Sequence, residues 1–476
     1  MMRELRPLLD ALSAPRIVGT LPSTISGIAV DSRTAQPGSL FVAVRGERVD
    51  GHRFARGAVA RGSSALVVER ELDVDVPQVI VEDTRLAISR LADTFYDHPS
   101  HALTVFGVTG TNGKTTTTYL LRSIVEAAGV PCGVIGTLGG VFGDDTWALE
   151  NTTPLAVELH RLLAEMRARG ARAVAMEVSS HALALGRVDD VRFRAAALTN
   201  VTRDHLDFHG TLAHYVAAKR RLFDLASLAV LNVDDAVGRT FAGEFVAATT
   251  YAIDRNAQLR ATNVVLEGNR TRFEAGGMQL EIALPGRFNL ANALAAIGLA
   301  RAGGFDDESI VRGLAAARAV PGRMERIGAF GIDAIVDYAH TPDALANVLR
   351  AARETTRGRL IVVFGCGGDR DPGKRVEMGR IAAAAADAVI VTSDNPRGEN
   401  PAAIAAAVAD GIVAEVILDR RTAIRRAIND ARAGDTVVVA GKGHETYQIV
   451  GEERLPFDDR DEVRSAFSLR SGALRA

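Results

Sequence analysis

Leu103-Thr104-Val105-Phe106-Gly107-Val108-Thr109-Gly110-Thr111-Asn112-Gly113-Lys114-Thr115-Thr116 decides how this chain folds. The apolar run ending at Val108 reads as a buried strand, and Tyr119, Leu120, Leu121 and Ile124 continue as the apolar stripe of a helix. Between them, Gly110 and Gly113 let the backbone curl so that its N–H groups, and the dipole of the following helix, face an anion. Lys114 adds a point charge for the outer phosphates, and the Thr115 hydroxyl suits Mg²⁺. A strict G-x-x-x-x-G-K-[ST] needs glycine at position 108, which is Val108 here; the short form Thr-Gly-Thr-Asn-Gly-Lys-Thr is narrower. Strand, glycine loop and helix in this order predict an ATP site.

Size and composition bound the rest. A chain of 476 residues exceeds one ordinary core, so two to four domains are expected. With 56 basic and 58 acidic residues and no long run of like charge, it does not read as a general nucleic-acid or membrane-surface binder. Cys132 and Cys366 cannot make a disulfide framework and read as small buried hydrophobes. No stretch reaches membrane-spanning length without charge, and the N-terminus lacks an apolar signal region, so a cytoplasmic protein without membrane insertion is expected.

Three regions separate by texture. Residues 1–100 hold short strand-like runs at Ile25–Val30, Leu40–Val44, Ala65–Val68 and Val79–Glu82, then a helix through Leu86, Ile88, Leu91 and Phe95, broken at His98-Pro99-Ser100. Residues 101–322 alternate strands and helices, as a parallel sheet covered on both faces would, with polar alternation over 250–287 that suggests an antiparallel insertion. Past Pro321-Gly322, strand runs at 334–336, 359–364, 388–391 and 436–439 predict a second doubly wound sheet over 323–476.

Ligands of open parallel sheets collect at the carboxyl ends of strands, and polar residues recur there. Glu177 ends one strand; Asn200 ends the next and opens the run containing Asp204, His205 and His209. A carboxylate and an imidazole at such points suit Mg²⁺ ligation, although Glu177 alone reads equally as a helix-start carboxylate and His205 or His209 alone as a satisfied histidine. Lys219 falls on the apolar stripe of Leu212, Tyr215, Val216, Leu222 and Phe223. There it must snorkel, pair or lose its charge; a neutral amine can take up carbon dioxide as a carbamate. In the last region Arg323, Asp337, Arg370, Asp394-Asn395-Pro396-Arg397, Gly441 and Glu445 stand near strand ends, where they could line one cleft. Arginine forks a carboxylate and a lone carboxylate holds an ammonium, which together suit a zwitterionic amino acid.

The ordered set Thr109–Thr116, Asn151–Pro154, Glu177–His181, Asn200–Gly210, Lys219, Asn289–Asn292, Asp337–Pro342 and Gly441–Glu445 resembles the Mur ligase family across essentially the whole chain. That resemblance implies an α/β protein of three domains, with a central P-loop-type, mostly parallel sheet and a C-terminal Rossmann-like sheet. Residues 1–100 would bind the UDP end of the substrate, 101–322 ATP and 323–476 the incoming amino acid. It implies that Gly110, Thr111, Asn112, Gly113, Lys114, Thr115, Thr116, Asn292, Arg323 and Asp337 bind ATP. Ser32, Glu47, Arg48 and Val49 would hold the uridine portion, and Asn151, Thr152, Thr153, Ser179 and Arg187 the muramoyl-dipeptide. Thr115, Glu177, His205 and a carbamylated Lys219 would hold Mg²⁺; Lys114, Lys219 and His205 would be the catalytic set. Arg370, Asp394, Asn395, Pro396, Arg397, Gly441 and Glu445 would bind the amino acid.

Asp394–Arg397 resembles the diaminopimelate-recognition motif of one branch of the family. The implied reaction is ATP-dependent amide-bond formation between UDP-N-acetylmuramoyl-L-alanyl-D-glutamate and meso-2,6-diaminopimelate, in peptidoglycan precursor synthesis, by a monomer. Ligation of L-lysine or L-ornithine, a folylpolyglutamate synthase and a non-catalytic nucleotide switch are the alternatives. The family often carries glutamine where this chain has Leu185, two residues before Arg187, and leucine cannot supply its hydrogen bonds.

Overall fold

The computed structural model describes residues 2–46, 49–267 and 270–473. Among these, the strands form three main sheets, each with a parallel body. The first has five strands in the order Arg16–Val18, Gln78–Ile80, Ala65–Val68, Leu40–Val42 and Ile28–Ala29. The central sheet has nine, with Thr104–Thr109 between Ala173–Glu177 and Phe193–Leu198. The third has six, with Thr436–Ala440 between Ile332–Asp337 and Leu360–Phe364. The expected insertion is present as the antiparallel strands Thr262–Glu267, Arg270–Ala275 and Met278–Ile282.

Why these runs are continuous stretches of Val, Ile, Leu and Ala follows from burial on both faces. Successive side chains of a strand point to opposite sides. In the central sheet Phe106 and Val108 enter one core, with the helices Lys114–Ala127 and Arg287–Gly303, while Val105 enters the other, with the helix Ala156–Ala168. The third sheet divides likewise, Val362 and Phe364 to one side and Ile361 and Val363 to the other. Leu40 and Val42 oppose Phe41 and Ala43 in the first.

One sequence expectation is corrected. Ile25–Val30 is not a single strand: Thr24–Ile25 pairs with Arg3–Glu4, and Ile28–Ala29 belongs to the five-stranded sheet. The chain turns between them because the Ser26 N–H bonds to the Gly38 carbonyl and the Gly27 carbonyl accepts from Leu40, which diverts the pairing. Both cysteines are buried and free, and burial pushes their thiols up, to about 12 for Cys132 and about 11 for Cys366. They are inert packing residues.

Candidate active site

The loop Gly110–Gly113 sits at the carboxyl end of the central strand and is held by the neighbouring strand end. The Thr111 N–H bonds to the Asn200 carbonyl at 2.8 Å, the Asn112 N–H to Asn200 Oδ1 at 3.0 Å, and Thr199 Oγ1 donates to the Asn112 carbonyl at 2.6 Å. Gly110 (φ 146°) and Gly113 (φ 89°) are required here. A Cβ at Gly110 would lie 1.9 Å from Thr199 Oγ1, and one at Gly113 would lie 2.2 Å from Asn292 Oδ1. Helix Lys114–Ala127 therefore starts without a side-chain cap, and its first N–H groups face the cleft as an anion site.

That cleft, of about 260 Å³, is lined by Thr111–Thr116, Thr152, Glu177, Ser179, Asp204, His205, Asn292, Arg323 and Asp337. It brings together the expected nucleotide residues from both the central and third sheets. Arg323 Nη2 donates to Thr115 Oγ1 at 3.0 Å, and its guanidinium lies over the Tyr338 ring at 4.4 Å. The Asp337 carboxylate accepts from the Met324 and Ala339 N–H groups, although burial pushes its pKa up. Asn112 Nδ2 donates to Asp343 Oδ2 at 3.0 Å, which clasps the loop to the first turn of helix Pro342–Thr355. Asp343→Ala is expected to raise the KM for ATP about fivefold, the worth of roughly one hydrogen bond, in a phosphate-release titration.

Lys219, 1% exposed, donates from Nζ to the Gly110 carbonyl at 2.8 Å and lies over the Tyr215 ring at 4.3 Å. Desolvation, helped by repulsion from Lys114, lowers its pKa well below the lysine value. It does not snorkel, and among the described residues it forms no ion pair with a carboxylate. It is a buried amine poised to be neutral. Arg220 and Arg221 point away, to Glu244 and Asp189. His205 takes a left-handed backbone (φ 53°) that turns its ring beside Asp204, with Nε2 3.4 Å from Asp204 Oδ2; burial lowers its pKa to about 4, leaving a neutral imidazole. His209 is the satisfied histidine, its Nε2 3.0 Å from Ser180 Oγ.

Glu177 is 1% exposed, and the donors to its carboxylate are neutral: the Thr137 N–H at 2.9 Å and Thr137 Oγ1 at 3.1 Å. With Asp204 half-buried nearby and attracting Lys114, this half of the cleft holds acidic oxygens that suit a hard cation. Thr153 Oγ1 donates to the Glu177 carbonyl and accepts from the Ser179 N–H, which ties the Asn151–Thr153 loop to the strand end.

A second cavity, about 820 Å³, opens against the first sheet and is lined by Ser32, Arg33, Val49, Arg85, Leu185 and Arg187 among others. Glu47 and Arg48 lie outside the described residues. Arg187 faces this cavity, and its Nη1 donates at 3.0 Å to the carbonyl of Thr153, the neighbour of cleft-lining Thr152. Leu185 lines the cavity as an apolar wall.

The third-sheet residues fall into two groups. Arg323 and Asp337 face the nucleotide cleft, while Asp394, Asn395 and Glu445 gather around Lys442. Lys442 was not singled out from the sequence. It is wholly buried, with Nζ 2.8 Å from Glu445 Oε2, 3.1 Å from Asn395 Oδ1 and 3.8 Å from Asp394 Oδ1. Gly441 is packed against Asp394, a Cβ there lying 3.1 Å from Asp394 Oδ2, and buried Pro396 carries the turn. Arg397 donates from Nη1 to the Gly368 carbonyl at 2.9 Å, whereas Arg370 is exposed at the rim.

Known proteins resemble this chain over nearly its whole length. Residues 24–96 match the model for the Mur ligase family, catalytic domain; 108–300 match the Mur ligase middle domain; 322–443 match the Mur ligase, glutamate ligase domain. The chain is 46% identical over 462 residues to the UDP-N-acetylmuramoyl-L-alanyl-D-glutamate–2,6-diaminopimelate ligase of Gloeobacter violaceus, covering 94% of each chain. It is 41% identical over 485 residues to the ligase of the same name from Bacillus cereus, covering 98% of this chain and 99% of that one. A solved structure of a ligase with that name superposes with a TM-score of 0.69 at 33% identity, covering 99% of this chain and all of the other. The chain belongs to the Mur ligase family.

Proposed function

We propose that this protein is an ATP-dependent ligase that joins meso-2,6-diaminopimelate to UDP-N-acetylmuramoyl-L-alanyl-D-glutamate in peptidoglycan precursor synthesis. The observation that carries the reading is the convergence on one cleft of the phosphate loop, Glu177, His205 and the third-sheet residues Arg323 and Asp337, with the Asp394–Asn395–Glu445 cluster on the same sheet. Relatives bearing that ligase name match over nearly the whole chain.

In this reading residues 1–100 take the UDP end in the larger cavity, through Ser32 and Val49. The muramoyl-dipeptide then runs past Arg187 and the Asn151–Thr153 loop toward Lys114. Residues 101–322 bind ATP, and 323–476 present the amino acid. The D-glutamyl γ-carboxylate attacks the γ-phosphorus; the bond to the ADP oxygen breaks, leaving an acyl phosphate. The free amine of the amino acid attacks the acyl carbon, loses a proton, and inorganic phosphate departs. Lys114 neutralises charge developing on the transferred group, and the loop N–H groups orient it. Thr115, Glu177, His205 and carbamylated Lys219 are the residues that would hold Mg²⁺, which when bound supplies further charge neutralisation to the phosphates. The protein acts in the cytoplasm, as a monomer, without nucleic acid. Among the described residues no helix is long and apolar enough to cross a membrane.

Phosphate release from ATP with the UDP-dipeptide tests this, offering meso-diaminopimelate, L-lysine and L-ornithine separately. Release that depends on meso-diaminopimelate is expected; turnover with lysine or ornithine alone would overturn the assigned amino acid. Arg397 is the proposed partner of the carboxylate that lysine and ornithine lack. Arg397→Gln should raise the KM for diaminopimelate by about tenfold or more, the worth of a charge-assisted hydrogen bond, with the KM for ATP unchanged.

A further inference from the structure

Away from both cavities, where the first sheet's last helix meets the central unit, Asp93, His98 and His101 bring one carboxylate oxygen and two imidazole nitrogens within 4.8 Å of one another. Asp93 is on the buried side of helix Thr84–Phe95; His98 and His101 bracket the turn that follows, exposed to solvent. His98 Nδ1 lies 2.6 Å from Asp93 Oδ2, and the two imidazoles stack with ring centres 5.3 Å apart. The backbone is strained to hold this arrangement. Asp97 and His98 are both left-handed (φ 61° and 46°), and His98 directly precedes Pro99, where an extended conformation is preferred.

An independent observation points the same way. Asp93 Oδ1 is buried without a hydrogen-bond partner, as are both ring nitrogens of His160, a wholly buried residue of helix Ala156–Ala168 whose Nδ1 is 3.4 Å from that oxygen. The His98 contact engages Oδ2, and Oδ1 is left buried with the His160 ring at 3.4 Å and no hydrogen bond. Two imidazoles and one carboxylate are the donor set of a borderline divalent cation, with a fourth position open to water; Mg²⁺ or Ca²⁺ would call for oxygens. We propose that Asp93, His98 and His101 form a zinc-class cation site at the end of the first unit's last helix, where it meets the central unit. The segment it would lock is already clamped from the central side: Arg167 Nη1 donates to the Asp97 carbonyl at 3.0 Å, and the Arg192 N–H to Ser100 Oγ at 3.1 Å.

Zinc titration of the metal-stripped full-length chain by calorimetry tests the proposal, comparing wild type with His98→Ala/His101→Ala, His101→Gln and His205→Ala. The wild type is expected to bind one equivalent more than the double variant, and His101→Gln to weaken that equivalent roughly tenfold or more. His205→Ala should retain it, because nucleotide-cleft binding is separate. Zinc should raise the unfolding temperature of the wild type and not of the double variant, whose zinc-free fold and Mg²⁺-supported turnover should be unchanged. Equal stoichiometry and affinity in wild type and double variant would overturn the site, as would a zinc equivalent lost only with His205→Ala.

Discussion

Lys219→Ala should fold normally and lose nearly all ligase turnover, by roughly a hundredfold or more, the scale of removing one preorganised electrostatic group from a water-excluded site. The side chain is buried beneath the Gly110 carbonyl, beside Lys114, and desolvation favours its neutral form. A neutral amine attacks the carbon of carbon dioxide and releases one proton, leaving a carbamate anion able to face a cation. Formate, a small carboxylate that fits the space vacated by alanine, should restore part of the activity. Unchanged turnover in the variant, measured by phosphate release, would sink the carbamate role.

The same residue carries a stability signature. Its folded pKa is lowered, so over the interval between that value and the lysine value of 10.5 the unfolded chain holds a proton that the folded chain has released. Stability then rises with pH across that interval, and at neutral pH the native state bears the cost of the buried amine. Lys219→Met removes this cost. Without ATP or carbon dioxide the methionine variant should unfold at a higher temperature than wild type while being inactive, a trade of function against stability. A lower unfolding temperature would mean that the bond to Gly110 outweighs burial.

The largest expected effect on stability lies in the third sheet. Arg420 and Asp459 are both wholly buried and joined by two 2.7 Å hydrogen bonds, from Nε and Nη2 to the two carboxylate oxygens. Burial alone would lower the guanidinium pKa, yet the attraction of Asp459 raises it. Asp459→Ala leaves that cation desolvated and should cost about 3–5 kcal/mol in a denaturant titration. The double replacement Arg420→Met/Asp459→Leu should be close to neutral, since apolar packing often replaces a buried pair without loss. A cost under about 1 kcal/mol for Asp459→Ala would place the pair in the weak class of solvated bridges. Arg420 also donates to the Ala440 and Ser393 carbonyls, at 2.9 and 3.3 Å. These precede Gly441 and Asp394, so the pair braces the proposed amino-acid site, and partial losses should raise the KM for diaminopimelate first.

Much of this was legible before the fold. Each parallel strand appears as an apolar run because both its faces are covered, and each helix as a stripe because one face is. Lys219 stood out because a cation on an apolar stripe breaks that pattern. Ile25–Val30 was misjudged because composition does not report that Ser26 and Gly27 bond to Gly38 and Leu40 and so divert the pairing. How the third-sheet motifs divide between the nucleotide cleft and the Lys442 cluster was not legible, because strand-end position fixes the sheet edge but not which way each side chain turns.

The sequence by itself determined the phosphate loop, the three α/β regions and the family, since loop geometry, strand period and helix period are set by neighbours within a few residues. Only the tertiary structure decided which strand ends converge. Lys442 gave no sign of its burial until folding set it 3.1 Å from Asn395, 47 residues away in the chain, and Arg420 met Asp459 across 39 residues. Asp93, His98 and His101 read as an ordinary helix end and linker until folding brought them within 4.8 Å of one another, with His160 of another helix 3.4 Å from Asp93. Burial is a property of the assembled layers, and it is burial that turns an ordinary charge into a demanding one.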